Sequence, residues 1–276
     1  MLPAVLALAG GLQLGDGSWT RPVPPFRIID NVHYVGTEDL ASYLITSPEG
    51  HVLVDAGVAA NARIILDNIA TLGFKPGDVR LLLETQAHFD HVAAMAEIKK
   101  HTGAQLAASA GDAPVLEDGG RSDHFLGAEY HFPPVKVDRI IQDGEVVRVG
   151  PIALTAHLTP GHTKGTTTWT MEARDAKGRS RQVVILGSTT VLPGVRLVNN
   201  EKYPAVAEDL KRTFAVQKAL RCEIFLSAHG GVFNARAKAK AAAGGQGDAA
   251  FLDPEGCRAA IERSEKAFLA ELARQR

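Results

Sequence analysis

Four polar side chains crowd the end of one apolar run. Val79-Arg80-Leu81-Leu82-Leu83-Glu84 reads as a buried strand, and Gln86, His88, Asp90 and His91 follow it within six residues. Val92, Met95 and Ile98 then recur at helical spacing, so a helix is predicted from Asp90 to Lys100. A strand that ends in a polar turn and feeds a helix is the unit of α/β folds, where ligands and catalytic groups collect at strand ends.

The rest of the 276 residues agrees with that class. Strands are predicted at 26–29, 33–36, 41–45 and 51–55, a helix over 59–72 ended by Gly73 and Pro76, and a strand at 105–109. Residues 111–134, rich in Gly, Asp and Pro, read as loop. Residues 140–149 and 152–158 read as a hairpin around Gly150-Pro151. Strands at 166–172 and 182–186, a helix over 209–220, a strand at 223–227 and a helix over 255–273 complete the chain. Strands, helix, strand, helix thus occur twice without a Pro- or Ser-rich linker, which favours one domain over 18–276 built of two related halves. The Ala/Lys/Gly stretch 235–247, with Arg236, Lys238 and Lys240, reads as a solvated helix face rather than a binding patch.

Composition removes several function classes. The 30 Lys and Arg nearly balance 31 Asp and Glu, leaving a net charge of -1 with His neutral. That balance gives no footprint for nucleic acid or an anionic membrane. No apolar run reaches the roughly 18–20 residues needed to span a bilayer. Met1 to Gly11 is apolar and carries Ala7-Leu8-Ala9, a small-x-small pattern without a basic start. It reads as the tail of an export signal or as an apolar terminus, so residues 1–17 are set apart from the domain. The two thiols, Cys222 and Cys257, suit either a reduced cytosolic protein or one exported disulfide.

Imidazole nitrogen with carboxylate oxygen is the ligand set that suits Zn²⁺. Side chains two apart on an extended turn project to one side, while adjacent Asp90 and His91 point differently, which divides the ligands between two ions. Alone, this segment also serves as a polar turn in which Asp90 caps the helix. Two further clusters weigh against that reading. His162 lies in Thr159-Pro160-Gly161-His162-Thr163 and His229 in Ser227-Ala228-His229-Gly230-Gly231, each just past a strand. A lone His in either turn is ordinarily a hydrogen-bonded residue. Three clusters together supply six ligands, enough for two sites of three, and a three-ligand zinc keeps a position open for water.

The Gln86-x-His88-x-Asp90-His91 run, the Pro160-Gly161-His162-Thr163 turn and Ala228-His229-Gly230 resemble the metallo-β-lactamase superfamily. The third subclass of class B β-lactamases is the nearest pattern, with Gln86 where the usual first motif has His. Ser18-Trp19-Thr20, Gly36 to Leu40, Val54-Asp55-Ala56-Gly57 and Pro160 to Trp169 extend the likeness along almost the whole chain. The resemblance implies a four-layer αβ/βα sandwich with two zinc ions at one edge. The first would take Gln86, His88 and His162, and the second Asp90, His91 and His229. It also implies a Cys222–Cys257 disulfide and export to the periplasm. Within Leu186-Gly187-Ser188-Thr189-Thr190, Ser188 stands where lactonase- and glyoxalase-like members carry Asp and other lactamase subclasses carry Cys. The resemblance gives Ser188 and Thr190 the substrate carboxylate, and Asp55 a place behind a ligand histidine.

The implied activity is hydrolysis of the β-lactam amide bond of penicillins, cephalosporins and carbapenems, giving antibiotic resistance. A zinc-bound hydroxide oriented by Asp90 would attack without a covalent intermediate. The implied partner is this small molecule alone, with the chain monomeric and neither nucleic acid nor membrane involved. An amide oxygen is a weaker zinc ligand than imidazole, so the first site is expected to be looser than the second. Two alternatives stand beside this reading: a lactonase or thioesterase of the same fold, against which Ser188 argues, and a non-catalytic zinc-binding homologue. His33, His51, His101, His124, His131 and His157 lack motif context and are expected to be structural or surface residues.

Overall fold

Burial on both faces explains why the central strands are uninterrupted apolar runs. The computed structural model describes residues 17–276, so the expected leader lies almost wholly outside the described residues. The first sheet keeps chain order: β1 (Phe26–Ile29), β2 (Val32–Tyr34), β3 (Tyr43–Ile45), β4 (His51–Val54), β5 (Val79–Leu83), β6 (Gln105–Ser109) and β7 (Arg139–Ile141). β1 to β4 form an antiparallel meander, and β4 to β7 are parallel. The second sheet runs β8 (Val146–Val149), β9 (Ile152–Leu158), β10 (Thr167–Arg174) and β11 (Ser180–Leu186), all antiparallel, with β12 (Ile224–Ser227) parallel to β11.

The strand period of two sorts the side chains between two cores. Val52 and Val54 of β4 and Leu81 and Leu83 of β5 join Trp169, Ile185 and Phe225 of the second sheet. Leu53 and Leu82, on the opposite face, join Ile65 and Ile69 of α1 (Asn61–Thr71) and Met95 and Ile98 of α3 (Met95–Thr102). α5 (Val206–Ala219) and α7 (Pro254–Gln275) bring Leu210, Phe214 and Phe268 to the second sheet. The layers are helix, sheet, sheet, helix, as expected. Cys222, just ahead of β12, is disulfide-bonded to Cys257 in the first turns of α7, with Cα atoms 6.4 Å apart.

Four expectations are corrected. The strand expected over 140–149 is two strands in different sheets: β7 ends at Ile141, and Gly144 at φ +75° lets the chain cross to β8. The helix expected from Asp90 breaks into α2 (Phe89–Val92) and α3, because the His91 carbonyl accepts the Ala56 and Gly57 amides and so serves the loop after β4. The stretch 111–134 holds α4 (Ala113–Asp118), stopped by Gly119 at φ +71°, and a 3₁₀ turn over Gly127–Tyr130. The Ala/Lys/Gly stretch also departs from a purely solvated face. In α6 (Ala235–Ala241), Lys238 is buried with its Nζ 2.7 Å from Asp253, and Arg236 pairs with Glu38.

Candidate metal centre

Backbone ties bring the three histidine clusters to one edge. The Trp169 indole N–H donates to the Glu84 carbonyl (2.9 Å), and the Thr167 amide donates to that of Thr85 (2.8 Å). These bonds hold the end of β5 against β10. Asp55, in the left-handed region at φ +59°, accepts the Thr85 amide (2.7 Å) and hydroxyl (2.8 Å). Buried Asp112 accepts the Ala87 amide and the Thr163 hydroxyl, both at 2.8 Å, and the Gly165 amide at 2.9 Å. One carboxylate thus locks the loop of His88 to the loop of His162. Gly165 is required there, since a Cβ would meet Ser109 Oγ at 2.1 Å. The third cluster is held by Tyr43, whose hydroxyl donates to the Ser227 carbonyl (2.6 Å), and by the Ala41 amide donating to Ala228 (2.9 Å).

The structure gathers the candidate residues in two groups of contacts: Asp90 with His91 and His229, and Gln86 with Ser188, Thr190, His162 and His88. His91 Nε2 and His229 Nε2 lie 3.2 and 3.5 Å from Asp90 Oδ2. Among the described residues, Asp90, His91 and His229 form a group whose ligand atoms all lie within 4.8 Å of one another. The His91 and His229 rings meet edge to face with centroids 5.0 Å apart, and those of His88 and His162 at 4.6 Å. The Gln86 amide oxygen accepts the Ser188 amide at 3.3 Å. Ser188 Oγ accepts the Thr190 amide at 3.2 Å. Asp90 does not cap the helix: His88 holds the N-cap position, and no side chain bonds there.

Apart from Asp55, sequence reasoning missed what stands behind the histidines. An oxygen stands behind each ring: a hydrogen bond joins His162 Nδ1 to the Thr190 carbonyl (2.6 Å) and His229 Nδ1 to Asp39 Oδ2 (2.8 Å), Asp123 Oδ2 lies 3.4 Å from His88 Nε2, and Asp55 Oδ2 lies farther off, 4.0 Å from His91 Nδ1. That is the arrangement that fixes the tautomer and aim of metal-binding histidines. Asp55 is where the resemblance placed it. Asp39 lies in the quoted Gly36–Leu40 motif, and the acid–imidazole pair Asp123-His124 was the available signal inside the supposed loop. His124 itself is buried, edge-on to Tyr203 at 5.0 Å. Replacing Asp39 by Asn is expected to weaken zinc binding by roughly 10- to 100-fold with the fold retained. A chelator-competition titration alongside a thermal melt checks this.

Electrostatics favour a cation here. Burial opposes charge on His229, but its hydrogen bonds to Asp39 and Asp90 raise it to about 10. Burial opposes charge on Asp90 too, yet His91 and His229 hold it well below the usual carboxylate range. Burial and the neighbouring His88 push His162 down to about 3, leaving a neutral ring. His91 Nε2 and Nδ1 are buried without a hydrogen-bond partner. Such atoms are rare unless a ligand completes them. Asp90, His91 and His229 therefore fit a zinc ion in donor chemistry and spacing.

The family model described as metallo-beta-lactamase superfamily matches residues 36–172. The native FEZ-1 metallo-β-lactamase of Legionella gormanii is 44% identical with a TM-score of 0.90, over 93% of this chain and 98% of that one. BJP-1, a subclass B3 metallo-β-lactamase of Bradyrhizobium japonicum, is 40% identical with a TM-score of 0.87, over 94% and 97%. A probable metallo-hydrolase of Burkholderia pseudomallei is 29% identical over 135 residues, 49% of this chain and 45% of that protein. The chain spans about half the length of the curated relatives it matches. Sandwich, strand-end histidines and these likenesses agree: the chain belongs to the metallo-β-lactamase superfamily, beside its subclass B3 enzymes.

Proposed function

We propose that this protein hydrolyses the amide bond of β-lactam antibiotics with zinc held by Asp90, His91 and His229, and so confers resistance. The observation that carries this reading is that three-residue cluster, with both His91 ring nitrogens lacking a hydrogen-bond partner and with His229 lining the same cavity as Ser188. Zinc bound there supplies a water of lowered pKa and a positive charge for the developing oxyanion. Asp90 accepts a proton from the attacking water and returns it to the ring nitrogen as the C–N bond breaks. The hydroxyls of Ser188 and Thr190 orient the substrate through its carboxylate. No serine ester forms. The Cys222–Cys257 disulfide supports an oxidising compartment, which for this function is the periplasm.

The first zinc site, Gln86 with His88 and His162, is the weaker of the two. Its amide oxygen already accepts the Ser188 amide, and amide oxygen binds zinc less well than imidazole. Gln86→His is expected to raise first-site zinc affinity at least tenfold in a metal titration, whereas equal affinity at both sites of the parent protein contradicts the ranking. The function itself is tested by assaying a lactam panel and an acyl lactone before chelation, after it, and after zinc is restored. Zinc-dependent lactam opening is the expected result. Lactone turnover without lactam turnover supports the lactonase reading instead, and zinc binding without turnover of either supports a non-catalytic homologue.

A further inference from the structure

A cavity of about 670 Å³ opens beside the metal centre, with Ser188, Thr190 and His229 on one wall. The same cavity is lined by α7, which contributes Arg263 and, a few turns on, Glu271 and Arg274. This part of α7 is fixed to the strand end that carries the hydroxyls, since Ser264 Oγ and Thr189 Oγ1 share a hydrogen bond of 2.8 Å. The charges in the wall are unequal. Arg274 is compensated by Glu271, its guanidinium nitrogens 2.5 and 2.8 Å from the two carboxylate oxygens. Arg263, which also lines the cavity, makes no ion pair and no hydrogen bond among the described residues, so its charge is uncompensated there.

A guanidinium offers five N–H donors and no acceptor, and a hydroxyl can always donate once. Ser188 Oγ accepts from the Thr190 amide, which leaves its own O–H to give away. Two hydroxyls and a guanidinium around one space make a receptor for an anion, and a planar carboxylate matches the fork of Arg best. We propose that Arg263 binds the carboxylate that the substrate presents to Ser188 and Thr190, and that α7 thereby selects anionic over neutral lactams. This rests on the lactam reading of the site. Arg263 is solvent-exposed and stays hydrated before substrate arrives, so its effect is modest and falls on binding rather than on the chemical step.

The test compares the zinc-loaded full chain with R263Q and R263K on two substrates, a chromogenic cephalosporin carrying its ring carboxylate and the neutral methyl ester of the same compound. R263Q is expected to raise KM for the carboxylate about five- to tenfold with kcat within about twofold, and R263K to recover most of that loss, because a charge-assisted contact is exchanged for a neutral one. The ester is expected to show the same KM with all three proteins. An unchanged KM for the carboxylate in R263Q, while the parent turns it over, overturns the proposal and leaves lactam hydrolysis standing. An equal loss on both substrates also overturns it, by assigning Arg263 a role in the shape of α7. If the parent opens no lactam at all, the lactam reading falls and this proposal with it.

Discussion

Asp90→Ala is expected to lower kcat/KM for a lactam by about a thousandfold or more and to remove the tighter zinc equivalent. The carboxylate sits between His91 and His229 at 3.2 and 3.5 Å and is the only anion in the three-residue group. On the proposed mechanism, its loss takes away a ligand and the proton acceptor together. General acid–base groups contribute roughly 10²–10⁴ and preorganised electrostatic groups roughly 10²–10³, and effects of groups acting as a unit are not additive. His229 keeps its bond to Asp39, so the fold survives, and a melt of the metal-free variant should stay close to the parent's. Asp90→Asn refines the result: the amide preserves shape and one oxygen, so it should recover part of the zinc affinity but little of the rate. Metal content and steady-state kinetics measured on the same samples read both effects. A variant within tenfold of the parent shows that Asp90 is not at the centre of the chemistry.

The double substitution Cys222→Ser with Cys257→Ser is expected to lower unfolding free energy by about 4 kcal/mol, the chain-entropy value for the 35-residue loop that the disulfide closes. The helix it anchors has other attachments. Phe268 and Leu272 sit in the core, and Lys218 on α5 pairs with Glu265 at 2.7 Å. α7 therefore stays docked in the native state, and the loss arises mainly in the unfolded chain, whose ends are no longer tied. Urea unfolding measures it as a lower midpoint. A change below about 1 kcal/mol shows that the loop is already constrained without the bond, the known weakness of the entropy model.

The parts legible in the sequence are those in which one local pattern has one physical reading. Leu81, Leu82 and Leu83 are buried on alternating sides of β5, so the run is apolar throughout and marks a central strand. His88, Asp90 and His91 crowd one turn, and only a ligand explains that crowding as well as it explains His162 and His229. What escaped depends on the partner rather than on the residue. Nothing local tells Arg139 to Ile141 from Val146 to Val149 except the turn between them, yet they belong to different sheets. Asp39 meets His229 across 190 residues, and Asp123 lies near His88 with α2, α3, β6 and α4 between them in the chain, so neither spacing carries a signal. Helical periodicity ran through Ala93 and Ala94 because it cannot see that the His91 carbonyl is taken by the loop after β4.

The proposed chemistry depends on zinc sitting among Asp90, His91 and His229. Diffraction from zinc-soaked crystals, measured on both sides of the zinc absorption edge, locates the ion directly. The predicted result is a strong anomalous peak bonded to Asp90 Oδ2, His91 Nε2 and His229 Nε2, with a weaker peak or none near Gln86, His88 and His162. A peak elsewhere, with those three side chains free of metal, contradicts it.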